Sequence, residues 1–134
     1  MKYPVVIHKD KKSAYGVTIP DMPGCFSAGD TLDEALEMSR EAILLHAEGL
    51  LMDGEPVPGP SGIEKYKNKS QYKDGVWALV DVDLSGISGK AKRINVTIPE
   101  RILSQIDNHT RTTGESRSGF LVSAALDYIS SHSK

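Results

Sequence analysis

The sequence predicts an α+β fold in two unequal parts, and three patterns carry that expectation. Short β-branched, alternating segments crowd the first thirty residues and return once near residue 80, on either side of one long helical stripe opened by a capping box. A final alternating octapeptide is followed by two helical patterns with a glycine between them.

The elements follow in order. Tyr3 to Ile7 is apolar and β-branched, His8-Lys9-Asp10-Lys11-Lys12-Ser13 is a charged loop, and Tyr15, Val17 and Ile19 alternate with Gly16 and Thr18. Two strands joined by that loop are expected. Pro20-Asp21-Met22-Pro23-Gly24 must turn, because each proline restricts itself and the residue before it, and Cys25-Phe26-Ser27-Ala28 reads as a short third strand. Thr31-Leu32-Asp33-Glu34 is a capping box that starts a helix whose stripe is Leu32, Ala35, Leu36, Ile43, Ala47, Leu50 and Leu51. Gly54, Pro56 and Pro58 end it. The stretch from Glu55 to Gly75, rich in Pro, Gly and Lys, is long enough to hold one helical turn. Val76 to Asp83 reads as the last strand, with Val76, Ala78, Val80 and Val82 toward the helix. Residues 1–84 thus form a β-β-β-α-β domain, 85–91 a small-residue linker, and 92–134 a separate C-terminal domain.

In Lys92-Arg93-Ile94-Asn95-Val96-Thr97-Ile98-Pro99 the alternation places Ile94, Val96 and Ile98 on one face of a strand and Arg93, Asn95 and Thr97 on the other. Pro99 stops the strand. A helix is expected from about Pro99 to Thr113, with Gly114 at its C-cap, and a second from about Ser116 to Ser131. A guanidinium fork, an amide and a hydroxyl on one ribbon face suit the DNA major groove, where Arg pairs with guanine and Asn with adenine. Some 40 residues is near the lower limit for independent folding. Ile94, Val96, Ile98, Ile102, Leu103, Ile106, Leu121, Ala125 and Tyr128 therefore need cover, and pairing the strand with its copy in a second chain supplies it.

Charge divides the two parts. The formal net charge of −2 hides ten Lys or Arg against fourteen Asp or Glu in residues 1–90, and six against four in residues 91–134. The tail suits phosphate contact and the front suits a basic protein partner. Cys25 is the single cysteine, which excludes an intrachain disulfide and favours a reducing compartment. With no signal-like core and no apolar run long enough to span a bilayer, a cytoplasmic protein without membrane contact is expected.

The tail motif, with Gly114-Glu115-Ser116-Arg117-Ser118 after the first helix, resembles the ribbon-helix-helix family of DNA-binding proteins. The resemblance implies base contacts from Arg93, Asn95 and Thr97. It implies phosphate contacts from Ser116, Arg117 and Ser118 at a helix start, with Lys92 beside them. Gly119 stands where a capping-box glutamate would sit, which weakens that start by some tenths to about 1 kcal/mol and removes an anion that would repel phosphate. In the front domain, Gly16 to Phe26, Gly29-Asp30-Thr31-Leu32-Asp33-Glu34-Ala35 and Asp53-Gly54-Glu55-Pro56-Val57-Pro58 resemble HicB-type antitoxins. That resemblance implies a truncated ribonuclease-H-like front domain. This domain would bind and block a small HicA-type mRNA-cleaving toxin, while the tail, paired as a homodimer, represses the operon from operator DNA. A tetramer through the front domain is compatible with it, and the toxin contacts stay open.

Two other classes compete. One is a ribbon-helix-helix regulator whose front domain senses a small molecule. The other is a nuclease, for which Asp21, Asp81 and Asp83 would be the carboxylates. A two-metal nuclease needs several convergent carboxylates, and no convincing fourth appears. His8, His46, His109 and His132 lack paired metal-ligand spacing, and Cys25 lacks an activating motif and reads as a small buried apolar residue. No catalytic residue, metal or cofactor is therefore assigned. Trp77 and Phe26 fit core packing and interface anchoring equally well, whereas Lys65-Tyr66-Lys67-Asn68-Lys69 reads as a solvated loop rather than a nucleic-acid contact.

Overall fold

β1 (Lys2–Lys9) is an interior strand of the front domain's sheet and its longest, with a partner strand on each side. The computed structural model describes residues 1–9, 14–85, 87 and 92–132. β1 pairs antiparallel with β2 (Tyr15–Thr18), β2 with β3 (Phe26–Gly29), and β1 on its other edge with β4 (Val76–Asp81), giving the order β3-β2-β1-β4. The tip of the expected charged loop, residues 10–13, lies outside the described residues, as does most of the expected linker (86 and 88–91).

α1 (Leu32–Met52) covers one face of this sheet. At its start the threonine half of the expected capping box forms, the Thr31 hydroxyl accepting the Glu34 amide at 3.1 Å. The buried line is Ala35, Ser39, Ile43 and Ala47, packed on Tyr3, Val5, Ile7, Val17 and Val80. Leu32 and Leu51, expected in the stripe, are exposed, since one opens the first turn and the other closes the last, beyond the sheet. Ser39 takes a core position the apolar pattern did not show, its hydroxyl donating to the Leu36 carbonyl at 2.6 Å. Val76 also departs from expectation: at the open corner of edge strand β4 it is exposed, while Val80 and Val82 are buried.

The chain between α1 and β4 is ordered by polar anchors. Asp21, buried in the turn before β3, accepts the Ser61 amide at 2.8 Å and the Tyr66 hydroxyl at 2.6 Å. Two single turns of 3₁₀ helix follow, Ile63–Lys65 and Ser70–Tyr72. Tyr66 meets Tyr72 edge-on, and Tyr72 meets Trp77 of β4 edge-on at 5.6 Å. Trp77 thus packs within the chain, and Phe26 stands exposed. The Lys65 and Lys69 ammonium groups lie over the Tyr66 ring.

Burial, followed by the hydrogen bond to Asp21, pushes the Tyr66 hydroxyl up to about 12 from 10.0. A raised folded-state value means that this group's stabilisation is complete below pH 10 and is lost as pH climbs toward about 12. Tyr66→Phe should cost about 1 kcal/mol at neutral pH and flatten the alkaline decline of stability. Urea unfolding from pH 7 to 12 checks both.

The tail contributes α2 (Glu100–Thr113) and α3 (Arg117–His132), and Pro99 serves as the N-cap of α2. Gly114 sits at φ 80° and returns its amide to the Thr110 carbonyl at 2.9 Å, as the sequence predicts for a C-cap glycine. α3 rests on the front domain: Leu126 packs against its core, and the Ser130 hydroxyl accepts the Gly59 amide at 3.3 Å.

Candidate functional site

Lys92, Arg93, Asn95 and Thr97 are all exposed, on a segment that joins no sheet within the single chain. The strand expected over 92–98 is therefore not hydrogen-bonded here. A strand exists through its neighbour, and one chain offers this segment none. The apolar members of the motif are uncovered too: Ile94 is 69% exposed and Val96 64%. Ile102, Leu121, Tyr128 and Ile129 add exposed apolar surface on the two helices. Exposed apolar side chains in this number are more than a small unit usually leaves to solvent.

Ser116 caps α3, its hydroxyl accepting the Gly119 amide at 2.9 Å. The amides of Arg117 and Ser118 begin the helix and have no partner one turn back, which leaves them pointing out of the helix start. The Arg117 side chain makes a bidentate contact with Asp107 of α2, Nε to Oδ1 at 3.1 Å and Nη2 to Oδ2 at 3.0 Å. Those hydrogen bonds, then the Asp107 charge, hold the guanidinium still more firmly in its charged form. Spatial proximity across the α2–α3 turn makes this pair, and residue spacing gave no sign of it. Gly119 also gains a reason. A Cβ there would lie 3.1 Å from the Ser116 hydroxyl and 3.9 Å from Asp83, so the missing glutamate leaves room for the cap and for the front domain.

The carboxylates of the nuclease alternative have other work. Asp21 anchors the long connection, and Asp81 takes the N-terminal ammonium at 3.5 Å. Asp83 accepts the Ser85 hydroxyl and amide, which lower its pKa. Among the described residues no cluster of three or more His, Cys, Asp or Glu has metal-binding geometry. Cys25 is buried, and its thiol is raised by that burial, as befits a small packing residue. Among the described residues no helix is long and apolar enough to cross a membrane. A cleft of about 440 Å³ between the α2–α3 turn and the front domain is lined by Met1, Arg40, Asp81, Asp83, Glu115 and Ser116.

A family model described as the HicB-like antitoxin of bacterial toxin-antitoxin systems matches residues 3–125. This chain belongs to the HicB-like antitoxin family. The family's members are antitoxins, not enzymes. The chain is similar to the crystal structure of the Burkholderia pseudomallei antitoxin HicB, with 47% identity, 96% of this chain and 98% of that chain covered, and a TM-score of 0.80. It is 46% identical over 131 residues to a 14.9 kDa protein of Haemophilus phage HP1, covering 96% of this chain and 98% of that protein. A solved HicA3 and HicB3 toxin-antitoxin complex matches 62% of this chain and 99% of that chain, at 31% identity and a TM-score of 0.54.

Proposed function

We propose that the chain is the antitoxin of a type II pair, acting through two separate surfaces. Residues 1–84, read as a truncated ribonuclease-H-like domain, bind and block a HicA-type mRNA-cleaving toxin in the cytoplasm. Residues 92–134, read as a ribbon-helix-helix domain joined by the 85–91 linker, pair with a second copy and repress the chain's own operon. The HicA3–HicB3 complex, related to this chain over 62% of its length, supports the toxin as partner. One observation carries the DNA half: exposed Ile94 and Val96 alternate with exposed Arg93, Asn95 and Thr97. Two such segments laid antiparallel bury the apolar set against the helices and turn six polar side chains outward as one ribbon.

In this reading Arg93, Asn95 and Thr97 contact bases, while Lys92, Ser118 and the start of α3 at Ser116 and Arg117 contact phosphate. Arg117 contributes its backbone amide there, with its side chain held by Asp107. Arg93→Ala should weaken operator binding by about 1–3 kcal/mol, roughly tenfold to hundredfold, and relax preference at one base pair per half-site. Titration against operator and scrambled duplexes checks this. Equal affinity and unchanged preference would refute the base-reading role.

A further inference from the structure

The face of α1 turned away from the sheet carries an ordered arrangement of residues. Met38, Leu45 and Met52 recur every seventh position, so they drift by only about 20° per step and form one ridge along the helix. Leu45 is 71% exposed and Met52 81%, whereas Ala35, Ile43 and Ala47 on the opposite side are fully buried. Beside that ridge runs a second with the same spacing, Glu34, Glu41 and Glu48. Among the described residues none of these three carboxylates has an ion pair, because Arg40, the one cation of α1, turns to Glu37 at 2.7 Å and to the Asp81 carbonyl.

We propose that this double ridge is where the front domain docks its protein partner, and that the partner presents apolar pockets bordered by cationic side chains of the kind that hold RNA phosphates. The inference rests on the toxin-blocking reading and gives that reading its surface. Flexible apolar side chains such as Met38 and Met52 suit an anchor that must fit a foreign surface. A row of unpaired carboxylates suits a partner of opposite sign, steering its approach and fixing its register. It does not suit a second copy of this chain. A two-fold contact through the same ridge would place both glutamate rows in one interface, where like charges repel. A partner whose cations are occupied by Glu41 and Glu48 cannot hold RNA with those same groups, so docking here blocks RNA binding directly.

Binding of the HicA-type toxin from the same operon to the full-length chain tests this, using Glu41→Lys/Glu48→Lys and Leu45→Ala, with Leu79→Ser on the far face of the sheet as the control. The double charge reversal should weaken toxin binding at least hundredfold at low salt, with the deficit shrinking as salt rises, and Leu45→Ala about tenfold. Leu79→Ser should bind as the parent does. All the substituted side chains except Glu48 are exposed, so the thermal transition should not move, and an unmoved transition rules out misfolding as the cause. Parent-like binding by both α1 variants overturns the docking surface, as does loss of binding in Leu79→Ser alone. Toxin affinity preserved alongside an altered oligomeric state would assign the ridge to a second copy and also overturn it. A parent chain that fails to bind the toxin removes the toxin-blocking reading itself, and this inference falls with it.

Discussion

Val96→Asp is expected to abolish pairing of the tails and, with it, operator binding, while leaving the front domain unaltered. Val96 is 64% exposed in the single chain, so the substitution removes no contact that holds one chain together. In the paired state two aspartates would enter a desolvated ribbon seam as close like charges, a cost of several kcal/mol. A loss of about 3 kcal/mol corresponds to roughly a hundredfold in affinity, and a dimeric reader loses more, because each half-site must then bind alone. Mass measurement across a concentration series should show a shift to smaller species, and titration against operator should show no specific complex. Toxin binding should match the parent, since α1 and the sheet lie elsewhere. A Val96→Asp chain that keeps both its assembly and its operator affinity contradicts the proposed pairing.

Gly29→Ala has the largest expected effect on stability. β3 ends at Gly29, where it meets the first turn of α1; a Cβ there would lie 2.4 Å from the Ala35 amide nitrogen and 2.8 Å from its Cα. Both atoms are backbone, so relief requires moving strand and helix apart where the helix is pinned by the Thr31 cap. Overpacking of this kind costs about 3 kcal/mol, which for a domain of this size lowers the melting temperature by roughly 10–20 °C. Gly16→Ala is the control, because its Cβ would meet only the His8 carbonyl at an ordinary 3.7 Å. Differential scanning calorimetry of the two variants checks the contrast. Equal transitions would mean that the β3–α1 junction yields more easily than its geometry implies.

Local chemistry made most of the fold legible. The Thr31 cap, the Gly114 C-cap, the apolar run of β1, the alternation of β2 and the helical spacing of α1 each depend on residues within a few positions of one another. Contacts between distant segments left no such trace. Asp21 reads as a turn residue, and only the fold brings Ser61 and Tyr66 to its carboxylate. Arg117 reads as a phosphate ligand, and only the closing of the α2–α3 turn sets it against Asp107. Exposure at the rims was equally hidden. Leu32, Leu51 and Val76 carry core-like side chains, but they stand where helix and sheet outrun each other. The candidate site divides in the same way. The alternating motif over 92–98 exposes its chemistry in sequence because a strand's two faces are two residue parities. The ridge on α1 required burial to be known, since one apolar residue in seven does not stand out within a helix already rich in them.

The most direct test is amide hydrogen exchange over residues 93–98 in the intact protein at several concentrations. Pairing of two tails places alternate amides of this segment in an antiparallel ladder. Exchange there should therefore be slowed, more so as concentration rises, and the slowing should collapse in Val96→Asp, with the amides of β1 protected throughout. Exchange over 93–98 at the rate of an unstructured chain at every concentration, beside a protected β1, would contradict that pairing.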